Sequence, residues 1–181
     1  MTVVEVTRFA SFGEVVNLRT FCGGTGGRWA ERRVLLTGDA GAAMEAATLW
    51  VHLDTVTQRP KPLPAQFFEL FGEAAGGRTV RARLHHPEPP SGATSEPWPL
   101  RCSDIDVLGH MNNAAYWEIV EDHLARRRDL RAPLRAELEF RAAVEPDHHI
   151  DVVTLDGPDD LSLWVVAEPG VCASAVVRRW A

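Results

Sequence analysis

The stretch SDIDVLGHMNNAAYW, Ser103 to Trp117, sets two carboxylates, an imidazole, a glycine and two asparagines directly ahead of an amphipathic helical pattern. A carboxylate and an imidazole a few residues apart are the equipment of general acid–base or nucleophilic chemistry. Backbone N–H groups at a helix start can hold a developing negative charge. Capping explains one or two of these polar residues, because Asn and Asp are among the best N-caps. It does not explain the histidine, nor Gly109, which lets the backbone turn or come close to another group.

Other chemistries fit this stretch less well. A metal held by Asp104, Asp106 and His110 lacks the further His or Cys that zinc takes, and its oxygens are too few for calcium or magnesium. Cys102 precedes the stretch and would need a stabilised thiolate nearby to act as a nucleophile. His148 and His149 fall in the polar turn EPDHH, where solvation accounts for them.

The elements that must position the stretch are legible from periodicity. TVVEVTRF, EVVNLRTFC, RWAERRVLLT and MEAATLWVHL alternate as strands, separated by GGTGG and GDAG turns. PAQFFELFG predicts a short helix opened by Pro64, and RTVRARLHH a further strand. PEPPSGATSEP, residues 87–97, has the composition of a linker. Beyond it WPLRCS predicts a short strand and AAYWEIVEDHLARRRD a helix whose Tyr116, Val120 and Leu124, widened by Trp117 and Ile119, face a core. Four strand-like runs follow, PLRAELEFRAA, HIDVVTL, LSLWVVAE and VCASAVVRRW. VEVTRFASFGEVVNLRT and AELEFRAAVEPDHHIDVVT share a pattern, so the parts resemble repeats, the first lacking its own opening strand and central helix.

The chain has 181 residues, 45 % of them hydrophobic, enough for one large or two small cores. A net charge of −6 argues against a protein that neutralises nucleic acid. Three cysteines fit neither a CxxC site nor a disulfide framework, which predicts a reduced, cytoplasmic compartment. No signal peptide or membrane span is expected. RRRDLRAPLR holds five arginines in ten residues, complementing a helix C-terminus or docking an acidic carrier protein or the phosphates of CoA.

An antiparallel sheet wrapped around a central helix is the hotdog architecture, an α+β fold. The stretch before the helix resembles the acyl-ACP thioesterases, whose C-terminal hotdog carries a D-x-D-x-N-x-H-x-N-N pattern, met here by Asp104, Asp106, His110, Asn112 and Asn113, with Tyr116 following. LWVHLDTVTQRPKPLP resembles the stretch that closes that family's N-terminal hotdog. The resemblance implies two tandem hotdog repeats, the first incomplete: residues 1–86 and residues 98–181, joined by 87–97. It implies a hydrolase of fatty acid biosynthesis that cleaves an acyl carrier protein thioester, without cofactor or metal. The N-terminal repeat would supply much of the acyl pocket and the C-terminal one the polar site.

Residue by residue, Asp106 takes the place of the family's reactive acid, attacking the carbonyl or activating water. His110 would polarise the carbonyl, orient water or protonate the leaving thiolate. N–H groups from Gly109 to Asn113 would hold the oxyanion. Asp104 is expected to be structural, and one of Asn112 and Asn113 to cap the helix while its neighbour lines the site. The chain departs from the pattern at Leu108, where the family has Asn, and at Ala143 and Val144, where it has Glu and Cys. Glu145 lies two residues past Ala143 and shares its face if the strand stays extended, making it a candidate substrate-binding residue.

Three further readings remain. An acyl-CoA thioesterase of the broader hotdog group tolerates a residue other than Asn at position 108. A degenerate hotdog would bind acyl thioesters or serve as a partner subunit. A hotdog hydratase fits less, because its histidine lies five residues after its Asp with a proline between. Edge-to-edge pairing of sheets predicts a homodimer.

Overall fold

In the computed structural model, which describes residues 1–57 and 59–180, the chain divides into two units, Met1–Leu84 and His85–Ala181. The period-two runs of the first unit form β1 (Thr2–Arg8), β2 (Val16–Thr25), β3 (Trp29–Gly38) and β4 (Ala43–Val51), antiparallel in the order β2-β3-β4-β1. Pairing of Leu18 with Leu36, Leu36 with Met44 and Met44 with Val6 lines one sheet face with apolar side chains. Helix α1 (Ala65–Ala75) starts after Pro64 and packs at the Cys22–Ala30 end of this sheet through Phe67 and Ala75. It stops at Gly76, whose left-handed φ of 56° lets its N–H reach the carbonyls of Gly72 and Glu73.

RTVRARLHH is not a strand, contrary to its alternation. Thr79 makes a single parallel bridge with Thr25, and the N–H groups farther on have another destination. His85 and His86 donate theirs to the two oxygens of Glu139 at 2.6 and 3.2 Å, within the second unit.

The second unit contains β5 (Thr94–Trp98), α2 (Ala115–Arg126), β6 (Leu134–Phe140), β7 (Ile150–Asp156), β8 (Asp160–Ala167) and β9 (Gly170–Arg179). Its strands are antiparallel in the order β6-β9-β8-β7-β5. The expected linker is therefore partly strand: β5 takes its last residues and pairs Glu96 with Val152. Pro97 is tolerated because an edge strand need not donate every N–H. The expected strand WPLRCS instead ends at Trp98, and Cys102–Asp104 form a turn of 3₁₀ helix.

Ala115, Tyr116, Ile119 and Val120 bury one face of α2 against Leu138, Leu163 and Ala175 of the sheet, giving the hotdog arrangement. Full burial of a side chain such as Ile119 or Leu138 is worth about 1.5–3 kcal/mol. The opposite face of β6 and β9 is also closed. Glu139 there is fully buried, Ser174 pairs with it across the strands, and His86 Nδ1 lies 3.0 Å from Ser174 Oγ. Trp164 Nε1–H donates to the Pro87 carbonyl at 2.7 Å, so residues 85–87 strap this face.

His123, also buried on α2, was not anticipated as a core residue. Its Nδ1–H donates to the Ile119 carbonyl at 2.8 Å, and Nε2 stands 2.9 Å from Glu96 Oε1, off the line of a good hydrogen bond. Arg126 Nη1 holds the same carboxylate oxygen at 2.8 Å, joining α2 to β5.

That Arg126 hydrogen bond, ahead of the nearby charge of His123, holds the Glu96 carboxyl below its ordinary value of 4.5. A lowered carboxyl stabilises the fold above its unfolded pKa, and the contribution disappears as the pH falls through the folded one. The melting-temperature gap between the parent and Glu96→Gln should therefore be full above pH 4.5 and close as the solution is acidified below it, read by thermal unfolding across pH.

Candidate functional site

The stretch before α2 folds into a small hairpin. Ile105 and Met111 form an antiparallel bridge, and Asp106 N–H donates to the His110 carbonyl at 2.9 Å. Three residues, Val107 to Gly109, make the loop, with Gly109 at φ 79° and its N–H on the Asp106 carbonyl at 3.0 Å. A tight turn closed by a left-handed residue is a common three-residue hairpin connection, and it needs glycine or a residue that tolerates positive φ. Asp106 and His110 thus lie opposite each other at the base of the turn, where facing residues project to the same side.

Asp106 is half-buried, and its Oδ1 accepts the Leu108 N–H at 2.8 Å. Among the described residues Oδ2 accepts no hydrogen bond, which leaves half of the carboxylate available. Val107 and Leu108 stand fully out at the loop tip, so Leu108 does not fill the place of a buried polar group. His110 is exposed beside them.

The backbone around the hairpin is largely committed. Met111 N–H donates to the Val144 carbonyl at 2.8 Å, and Asn112 N–H to the Asp104 carbonyl at 2.7 Å. With Gly109 turned inward as well, three of the five N–H groups expected to face an oxyanion are used. Among the described residues, those of His110 and Asn113 donate to nothing. Asn112 Oδ1 accepts the Ala114 N–H at 2.9 Å and its carbonyl the Ala115 N–H at 2.9 Å, a turn just ahead of α2; neither asparagine caps the helix, whose N-cap is Ala114 with no side-chain cap, and both are exposed. Asp104 is buried, its Oδ2 accepting the Arg101 N–H at 2.8 Å, a structural placement.

β6 ends at Phe140, before Glu145, so strand alternation does not carry that residue onto the face of Ala143. Glu145 lies in an exposed turn, where its N–H meets His148 Nδ1 at 3.2 Å and its carbonyl accepts the His148 N–H at 3.1 Å. The Val144–Met111 hydrogen bond nevertheless ties this segment to the hairpin. Tyr116 packs edge-on against Phe140, with ring centroids 5.3 Å apart. Burial, assisted by the neighbouring Cys172, pushes its hydroxyl up to about 12, against a hydrogen bond from the Val144 backbone.

Among the described residues, the metal-competent grouping is Glu145, Asp147 and His148, exposed or half-buried, and not Asp104, Asp106 and His110. The arginine cluster is mostly consumed internally. Arg126 pairs with Glu96 and Asp122, Arg127 with Asp129 and Asp156, and Arg135 with Glu137. Arg128 and Arg131 pair with no carboxylate among the described residues. Cys102 is exposed, whereas Cys22 and Cys172 are buried thiols. The first unit holds a cavity of about 560 Å³ between its sheet and α1, lined by Cys22, Arg32, Trp50, Phe67 and Phe71.

A model of the acyl-ACP thioesterase N-terminal domain matches residues 1–71, and one of the acyl-ACP thioesterase C-terminal domain matches residues 88–170. The chain belongs to the acyl-ACP thioesterase family. An uncharacterised protein of Mycobacterium tuberculosis is 29 % identical over 178 residues, covering 98 % of this chain and 71 % of that relative. The 12:0-ACP thioesterase of Umbellularia californica shares the hotdog fold with a TM-score of 0.80 at 21 % identity, over 98 % of this chain and 72 % of that one. An acyl-ACP thioesterase of Bacteroides thetaiotaomicron follows at a TM-score of 0.74 and 15 % identity, over 98 % and 73 % of the two chains. Gln58, inside the stretch that resembles the end of the family's N-terminal hotdog, lies outside the described residues. No helix among the described residues is long and apolar enough to cross a membrane.

The left-handed turn at Gly109 carries the first test of this geometry. An added Cβ there meets nothing within 4 Å, so a substitution is opposed by backbone strain alone. Gly109→Ala should cost about 1 kcal/mol and Gly109→Val more, while Gly109→Asn should stay near the parent, as measured by denaturant unfolding.

Proposed function

We propose that this family member hydrolyses the thioester of a fatty acyl carrier protein and releases the free fatty acid. The observation that carries the reading is the state of Asp106: one carboxylate oxygen is fixed by the turn, and the other accepts no hydrogen bond among the described residues, with His110 directly across the hairpin. A carboxylate so held needs no reorganisation before it acts.

In this reading the Asp106 carboxylate takes a proton from water as the water oxygen adds to the carbonyl carbon. The His110 and Asn113 N–H groups receive the oxyanion, each such donor being worth about 2.7–4 kcal/mol in known hydrolases. Collapse breaks the C–S bond, and the proton held by Asp106 passes across the hairpin through His110 to the leaving thiolate, which restores both groups. Gly109 shapes the turn, Asn112 fixes the helix entry beside it, Asn113 borders the acyl carbonyl, and Glu145 contacts the pantetheine from the neighbouring turn. Arg128 and Arg131 offer charge to an acidic carrier protein. The edge of β2 supports a homodimer.

Thiol release from a chain-length panel of acyl carrier protein and CoA thioesters tests this. Turnover is expected to favour the carrier protein esters and one range of chain lengths. Faster turnover of CoA esters would remove the carrier protein from the proposal and keep the hydrolase. Folded protein inert on the entire panel would sink it in favour of a hotdog that only binds.

A further inference from the structure

Val107 and Leu108, at the tip of the hairpin, are 101 % and 75 % exposed, so neither side chain contributes to the core. The turn itself needs only the Leu108 N–H on Asp106 Oδ1 at 2.8 Å and the positive φ of Gly109. Residues at such positions are mostly Gly, Pro, Asn, Asp or Ser, which favour turns by their backbone freedom or by local hydrogen bonds. Valine and leucine offer neither. The tip is apolar without a structural reason.

Its position supplies one. Leu108 lies two residues from Asp106, no more than about 7 Å along the backbone. A reacting carbonyl stands about 3–3.5 Å from the atom that attacks it, so a thioester at the Asp106–His110 pair is within reach of the tip side chains. The neighbouring side chains that reach solvent, His110, Asn112 and Asn113, are polar and suit the thioester group itself. Val107 and Leu108 suit what is attached to it. The pantetheine arm is rich in amides and gains little from an apolar contact, whereas the methylenes next to the carbonyl gain by leaving water.

We propose that Val107 and Leu108 form an apolar guard over the second and third carbons of the acyl group, so that the site accepts acyl thioesters bearing only hydrogen there and discriminates against 3-hydroxyacyl thioesters. A hydroxyl on the third carbon would be pressed against the two side chains and lose its water without gaining a partner. The inference rests on Asp106 and His110 as a thioester site, and adds to it which acyl groups that site turns away.

Binding of S-octyl-pantetheine and S-(3-hydroxyoctyl)-pantetheine to the full chain, followed by isothermal titration calorimetry, tests this without turnover, because neither thioether can be hydrolysed. The parent should bind the plain chain about tenfold more tightly, short of the roughly hundredfold that a closed apolar pocket reaches against an added hydroxyl. Val107→Ser combined with Leu108→Ser changes two exposed side chains, so the melting temperature should stay near the parent's. The double variant should bring the two affinities within about twofold of each other, chiefly by weakening the plain chain. Equal affinities in the parent would overturn the proposal. So would a parent that binds neither thioether, or a preference that survives the double variant. Failure of the hydrolase reading is separate: a chain inert on every thioester that still prefers the plain thioether keeps the guard and loses the hydrolysis.

Discussion

Two backbone hydrogen bonds hold the Asp106–His110 hairpin: Asn112 N–H to Asp104 closes its base, and Met111 N–H to Val144 ties it to the body of the second unit. Everything chemical in the stretch follows from them. With the hairpin base fixed, its two arms present Asp106 and His110 to one side, and the left-handed Gly109 closes the loop without a clash. A turn at Asn112 leads into α2 at Ala115, so the reactive pair and the helix N-terminus form one short continuous structure.

What fixes the hairpin's support is the sandwich beneath it. One face of β6 and β9 buries α2 through Ile119, Leu138 and Ala175. The other takes a wholly different solution, a buried carboxylate. Glu139 has no exposure, and a buried carboxyl group is tolerated only when its oxygens are hydrogen-bonded. The His85 and His86 N–H groups supply those bonds, so the segment entering the second unit is bound by the same strand whose continuation, at Val144, meets the hairpin. The arginines at the end of α2 likewise serve the fold first, as Arg126 and Arg127 show by their paired carboxylates.

Most of the strands, both helices and the polar stretch were legible because each has a period or a spacing. Strands of the first unit alternate, α2 repeats apolar residues every three or four positions, and D-x-D-x-x-x-H-x-N-N is dense enough to stand out. Long-range satisfaction of polar groups leaves no such trace. RARLHH alternates like a strand, yet its last N–H groups belong to Glu139, more than fifty residues away. Glu96 sits in a proline-rich segment and still forms an edge strand, because Arg126 and His123 of α2 reach it. Glu145 was placed by extending an alternation past Phe140, where the strand has already ended. Arg32 carries no motif at all, and only the pairing of β2, β3 and β4 shows that it shares a face with Thr20 and Trp50.

The central claim is that Asp106 does chemistry and does not merely close a turn. Asp106→Asn separates the two, since an amide oxygen can still accept the Leu108 N–H but cannot take a proton from water. Thioester turnover by this variant, measured beside its melting temperature, is the most direct test. The account predicts a melting temperature close to the parent's and a rate lowered by about 10²-fold or more, the scale of a lost general base. A variant as stable as the parent that turns over within a few-fold of it would contradict the account and leave Asp106 as a turn-forming residue.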